Sequence, residues 1–319
     1  MAVVVLQKIG LQSEVLYSLA KERITIKRLY ILVLLTSALL FAGCSNLYTD
    51  KENESVVQNK VFSYQYSNLV DENTQNEVSD LLKENGFDNQ YIDLFIEAVQ
   101  DFNSKQGMTN IAPQGFTSID TATVPYDEDK FVIDWMDLQL PYLDLNCRIT
   151  SFLLFKDFVE SENIMTDENL ELVFDLGMIE ENPFAALSKE DQQKFENIFS
   201  PMQAEETIDV KTHAETIKKE WAERKVSFNN TSASWVNVFL HYPETENLFV
   251  GHSGILLKDG DGYIFVEKLA SAQPFQVSKF KTKEELYNVL MERYDTNTGD
   301  YAKIASKPII MENDELLVH

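Results

Sequence analysis

Two cysteines in 319 residues, Cys44 and Cys147, cannot build a disulfide framework, and no cluster of Cys and His at short spacing offers a zinc site. Eleven glycines leave no Gly-rich phosphate loop, which excludes the nucleotide-binding classes that depend on one. Basic residues are also scarce. The 27 Lys and Arg face 52 Asp and Glu, and a net charge of −25 repels polyanions and argues against a nucleic-acid partner. No apolar run reaches the roughly 20 residues that a membrane-spanning helix needs. What is there is a hydrophobic fraction of 44%, enough to fill a core. The composition gives no reason to expect a metal or another cofactor.

The longest uncharged run is informative about location. Residues 29–41, LYILVLLTSALLF, follow Lys21, Arg23, Lys27 and Arg28 and lead into Ala42, Gly43 and Cys44. A basic region, a short apolar stretch and small residues, in that order, make a secretory signal. The small residues before the cysteine resemble the lipobox of bacterial lipoproteins, with Phe41 where that pattern usually has Leu. The resemblance implies that residues 1–43 are removed and that the Cys44 thiol carries a diacylglycerol. Two acyl chains anchor a protein stably where one is marginal, so the chain is expected to be exported and held to the extracytoplasmic face of a membrane. Without residues 1–43 it keeps 22 basic and 50 acidic side chains, a net charge of −28. Residues 44–60 are polar without a period and read as a flexible tether.

Residues 61–319 read as a single α+β domain, with helices first and an antiparallel sheet later. Thr74 and Glu77 form a capping-box pattern ahead of Val78, Leu81 and Leu82, and Gly86 ends that helix. A second helix is expected over residues 89–104, followed by a loop over residues 108–129 broken by Pro113, Gly115 and Pro125. A third starts at an Asn146 N-cap, with Ile149, Phe152, Leu153 and Phe155 as its buried side. Residues 157–209 hold fifteen acids against two lysines and read as an acidic helical insertion, with helices near residues 169–176 and 188–199. Another helix is expected over residues 212–223. Residues 234–242, 248–258 and 262–269 alternate as strands, with a tight DGDG turn over residues 259–262. Thr282 and Glu285 cap a last helix, and a short strand near residues 304–311 closes the sheet.

Cys147 is the one thiol left once Cys44 is acylated. It is either a small buried apolar residue or a nucleophile, whose pKa a helix N-terminus and the adjacent Arg148 would lower. Of the four histidines, His213 lies in a charged helix and His319 is terminal, so both read as solvated, while His241 reads as a strand-edge residue. His252 stands between Gly251 and Gly254 at the start of a strand. If the DGDG turn centres on Gly260 and Asp261, His252 pairs with about Leu269, and Glu267 lies on the same face as His252. A register slip of one residue would bring Lys268 there instead.

A cysteine at a helix start, a later histidine on a strand and a polar residue on the next strand resemble the papain-like fold, including NlpC-type cell-wall peptidases and amidases. HSGILLKDGDGYIFVE is similar to the His-bearing hairpin of that group. The resemblance implies catalytic Cys147, His252 and Glu267 acting on cell-wall peptide, and it requires the acidic insertion between Cys147 and His252. The order YSNLVDE near Tyr66, NCRITSF at Asn146 and GHSGILL at Gly251 resembles a family of Gram-positive lipoproteins with a domain of unknown function. A non-catalytic binding or interaction lipoprotein of the cell envelope, with a surface protein as partner, is the other reading. The lipid anchor is directly testable: Cys44→Ser is expected to abolish labelling by a fatty-acid probe and release the protein from the membrane fraction, and unchanged retention would refute it.

Overall fold

A computed structural model describes residues 62–106, 111–112, 114–162, 170–185, 187–230 and 232–318. The signal, the tether and Cys44 lie outside the described residues. The strands are β1 (Tyr64–Ser67), β2 (Thr117–Ile119), β3 (Val159–Glu160), β4 (Met202–Gln203), β5 (Ser227–Phe228), β6 (Ala233–Tyr242), β7 (Asn247–Asp259), β8 (Gly262–Lys268), β9 (Phe275–Phe280), β10 (Ile309–Glu312) and β11 (Glu315–Leu316). The helices are α1 (Glu72–Glu84), α2 (Asn89–Gln106), α3 (Glu128–Asp137), α4 (Cys147–Phe155), α5 (Val173–Glu181), α6 (Lys189–Phe199), α7 (Val210–Glu223) and α8 (Lys283–Tyr294). The fold is α+β, as expected.

One antiparallel sheet runs β11-β10-β6-β7-β8-β9-β1-β2, with β4 added to the start of β7. Its centre is apolar on both faces because both faces are covered. Trp235, Phe239, Ile255 and Leu257 join the large core shared with α1, α2, α4, α6 and α7, while Val236, Val238, Leu256 and Phe265 pack with Leu286, Val289 and Leu290 of α8. The β7–β8 hairpin closes at Asp259↔Gly262, and Gly260 takes the positive φ (+53°) that the two-residue turn demands. In β7 the register against β6 jumps from Val238↔His252 to Phe239↔Val250, leaving Gly251 as the extra residue of a bulge. A Cβ there would fall 2.5 Å from Leu240 Cδ1, so any larger residue would have to push that side chain aside.

Several expectations shift by a turn or gain an element. The first helix is capped by Asp71, whose Oδ1 accepts from Thr74 N at 3.1 Å, because Asp reaches the free N–H groups one turn earlier than Thr74 could. The stretch expected as a loop holds β2, which pairs with β1, and α3 starts from an Asp127 cap before that stretch ends. The acidic segment 157–209 carries helices α5 and α6, and it is woven into the core. Phe199 packs at 5.4 Å and 80° on Trp235, Phe195 at 5.3 Å and 86° on Phe152, and Met202 pairs with Leu248. Strands β1 and β9 extend the sheet beyond the expected hairpins.

His213 and His241 correct the reading from sequence, since both are buried and their rings lie 4.5 Å apart. His213 Nε2 meets Thr207 O at 2.8 Å and must carry the proton, which leaves its buried Nδ1 bare and unpartnered. His241 Nδ1 accepts from Ser306 N at 3.1 Å. Both rings are therefore neutral, and burial lowers both pKa values; the neighbouring His213 lowers His241 further, Glu244 opposes this at His241, and Thr207, Asp209 and Glu205 oppose it at His213. A histidine depressed in the folded state takes up its proton more readily when unfolded, so stability is full above about pH 6.5 and falls as acid is added below it. Urea denaturation from pH 7.5 to 5 is expected to show this loss and to show less of it in His241→Gln; an identical slope in the variant would refute the assignment.

Candidate functional site

A helix cap places the thiol. Asn146 is extended (φ −108°, ψ −179°), and its Oδ1 accepts from Ile149 N at 3.0 Å, so α4 begins with Cys147 as foreseen. The leading N–H groups of a helix have no carbonyl ahead of them and form the positive end of its dipole. Around this start a polar scaffold closes on buried Asp175. Asn146 Nδ2 donates to its Oδ1 at 2.7 Å, and Arg148 donates from Nε to Oδ1 at 3.1 Å and from Nη2 to Oδ2 at 2.6 Å. Arg148 Nη1 also donates to Val250 O of β7 at 3.2 Å. From β8, Lys268 Nζ donates to Asp144 Oδ2 at 2.6 Å and lies 3.7 Å from the Phe102 ring centre. The β7–β8 ladder stops at Gly254↔Glu267, two residues short of His252.

The same ladder brings His252 and Glu267 together. Its centre is the one inferred from the DGDG turn, so Glu267 faces Gly254 and shares a face with His252 two residues along. His252 Nε2 and Glu267 Oε2 are 2.7 Å apart. Lys268, the alternative neighbour, bonds Asp144 on the opposite face. Glu267 Oε1 accepts from Arg293 Nη1 at 2.9 Å and from Gln276 Nε2 at 3.3 Å. Arg293 is itself held, with Nε donating to Ala122 O at 2.8 Å and Nη2 to Tyr64 Oη at 3.2 Å. The Tyr294 ring stacks on His252 at 4.9 Å and 21°.

These groups sit away from water: Cys147 is 8% exposed, Glu267 2% and His252 1%. Burial pushes the Cys147 thiol up, but the neighbouring His252 and Arg148 together outweigh burial and the Asp175 carboxylate, holding the thiol below its ordinary value. Burial likewise pulls His252 down, and its contacts with Cys147 and Glu267 prevail, raising it to about 9. Glu267, which burial would raise, is held down to about 2 by Arg293 and His252. With Nε2 bound to a carboxylate, Nδ1 is the nitrogen left for the thiol. It is buried and makes no hydrogen bond. The pKa directions favour a thiolate and an imidazolium, with the Nε2–H of the ring held by a carboxylate. No group of three or more His, Cys, Asp or Glu among the described residues is arranged to hold a metal ion.

Residues 65–317 match the family described as a domain of unknown function, DUF4300. The chain belongs to that family. No curated protein and no solved structure matches it. The match takes in all three residues of this DUF4300 site, together with the partners that sequence reasoning missed. Arg293, Tyr294 and Asp175 are remote in sequence from the residues they hold, and nothing in their own surroundings in the chain sets them apart from other charged or aromatic helix residues.

In this DUF4300 domain the Glu267 contribution to stability is present above about pH 4.5 and is lost as the pH falls towards 2, since its folded pKa is depressed. Arg293→Met leaves a buried carboxylate with one partner fewer and is expected to cost about 3–5 kcal/mol at pH 7. That cost should shrink below pH 4.5 in urea titrations, and should be largely recovered in Arg293→Met with Glu267→Gln. An equal cost at both ends of the pH range would assign Arg293 to packing alone.

Proposed function

We propose that this DUF4300 protein is an exported lipoprotein, anchored through a diacylglycerol on Cys44, that hydrolyses amide bonds in cell-wall peptide with Cys147, His252 and Glu267. The observation that carries the proposal is the 2.7 Å bond between the imidazole on β7 and a buried carboxylate on β8, together with a thiol at the start of α4 whose pKa the same imidazole lowers. It supports a papain-like arrangement of roles on this α+β frame. The Cys147 thiolate attacks the amide carbonyl carbon, and the helix N-terminal N–H groups stabilise the oxyanion, a contribution of about 3–4 kcal/mol where such donors have been removed. His252 gives its Nδ1 proton to the leaving amine as the C–N bond breaks. Water then attacks the thioester, His252 takes its proton, and the C–S bond breaks to release the acid. Glu267 holds the imidazole tautomer throughout.

One observation favours the alternative, a non-catalytic binding lipoprotein of the envelope. The thiol is 8% exposed, which suits a packed cysteine as well as a guarded one. Iodoacetamide labelling against pH separates the two. In a Cys44→Ser background, which leaves Cys147 as the sole thiol, the hydrolase reading expects labelling that persists below pH 7.5 and an upward shift of that profile in His252→Ala. It also expects Cys147→Ala to lose hydrolysis of peptidoglycan-derived peptides altogether. An inert thiol, or one that titrates near 8.5 in both proteins, would leave the binding protein.

A further inference from the structure

Between the nucleophile helix and the base-bearing strand lies a polar cluster that the chemistry above does not use. Ser253 follows His252 in β7 and faces the opposite side of the sheet, towards α4. Its Oγ lies 2.7 Å from Ser151 Oγ, 2.7 Å from Trp235 Nε1 and 2.8 Å from Asn237 Oδ1. All four residues are buried, none more than 2% exposed. The protons can be assigned. Trp235 Nε1 only donates and Asn237 Oδ1 only accepts, so the Ser253 hydroxyl gives its proton to Asn237 and takes one from Trp235, while Ser151, whose Oγ also lies 3.1 Å from Arg148 O, shares its single proton between that carbonyl and Ser253. The Ser253 donor and both its lone pairs are engaged.

The neighbouring contacts of α4 are apolar: Phe152 and Phe155 pack 6.2 and 5.5 Å from the Trp235 ring. Apolar contact is non-directional and tolerates sliding, whereas a saturated hydroxyl has one position in which all its bonds are made. Ser151 lies one helical turn after Cys147 on the same helix face, and Ser253 is the chain neighbour of His252. A slip of α4 by one residue along β7 would move the thiol about 1.5 Å relative to the ring.

We infer that the Ser151–Ser253 hydrogen bond is a positioning device that fixes α4 against β7 and so sets the approach of the Cys147 thiol to His252. This rests on the reading of Cys147 and His252 as a working pair, and it assigns a role to two residues that touch neither the substrate nor each other's reacting neighbours. Because the bond acts through geometry, its loss should move the titration of the thiol and not merely the melting temperature.

The test uses the full chain with Cys44→Ser and measures the rate of alkylation by iodoacetamide against pH. Ser253→Ala and Ser151→Ala are each expected to shift the profile upward and slow alkylation at pH 6 about tenfold, which is one unit of thiol pKa. The double variant should lose no more than either single one, since both remove the same bond. Ser253→Thr, which keeps the hydroxyl, should restore the profile. If Ser253→Ala does not fold, Ser151→Ala carries the test, because it removes one partner and leaves the Trp235 and Asn237 bonds in place. Wild-type profiles in both alanine variants, with a shifted one in His252→Ala, would overturn the positioning role alone; an unchanged profile in His252→Ala as well would overturn the thiol–imidazole pairing on which it rests.

Discussion

Glu267 is an ionised carboxylate with almost no water around it, and an unpaired charge in that position would cost several kcal/mol. The fold supplies two answering groups from different directions. Arg293 comes from the end of α8 and His252 from β7, and each takes one carboxylate oxygen. Arg293 is anchored in turn on the Ala122 carbonyl and the Tyr64 hydroxyl, so the last helix, the loop before α3 and the first strand are all tied to one oxygen pair. Burial alone would lower the pKa of His252, and Cys147 and Glu267 together raise it to about 9.

The approach of that thiol is set by a different kind of constraint. α4 buries Ile149, Phe152, Leu153 and Phe155 in the large core, yet its first turn sits in a polar collar. Asp175 neutralises Arg148 and orients Asn146, and the Lys268–Asp144 pair fixes the chain just before the cap. The collar reaches both strands, through the Val250 carbonyl of β7 and Lys268 of β8. The Gly251 bulge lies at the same level of β7. Bulges next to functional sites re-aim side chains, and this one resets the alternation just ahead of His252.

Charge divides the molecule into two regimes. Outside, acids dominate and most ion pairs are exposed, such as Lys83 with Asp80 or Lys303 with Asp300, and these are worth little individually. Inside, the cations that matter are already paired: Arg148 with Asp175, Arg293 with Glu267, and Lys268 with Asp144. The net acidity read from composition is thus a property of the surface, while the site is built from a near-balanced set of buried charges. The acidic segment 157–209 belongs to both regimes, since most of its described carboxylates face water while Asp175, Phe195, Ile198 and Phe199 are buried.

Local chemistry made much of this legible in the chain. The Asn146 cap, the helix starting at Ser188, the helix from Thr282 and the DGDG turn each depend on backbone bonds made within a few residues, so the residue types alone specify them. Because a two-residue turn fixes register, the sequence pointed to Glu267 on the face of His252 and left Lys268 as the alternative of a one-residue slip, which the Asp259↔Gly262 pairing then ruled out. Short strands were harder: β1 and β2 have four and three residues and exist only because β9 offers an edge. The burial of His213 and His241 was likewise invisible, since a charged helix face looks solvated until another segment covers it. What only the tertiary structure decided is the burial of the His252–Glu267 pair and the supply of Arg293 to Glu267. That last contact joins residues 26 positions apart in the chain, and no local hydrogen bond or period can encode a distance that depends on how a whole helix packs against a whole sheet.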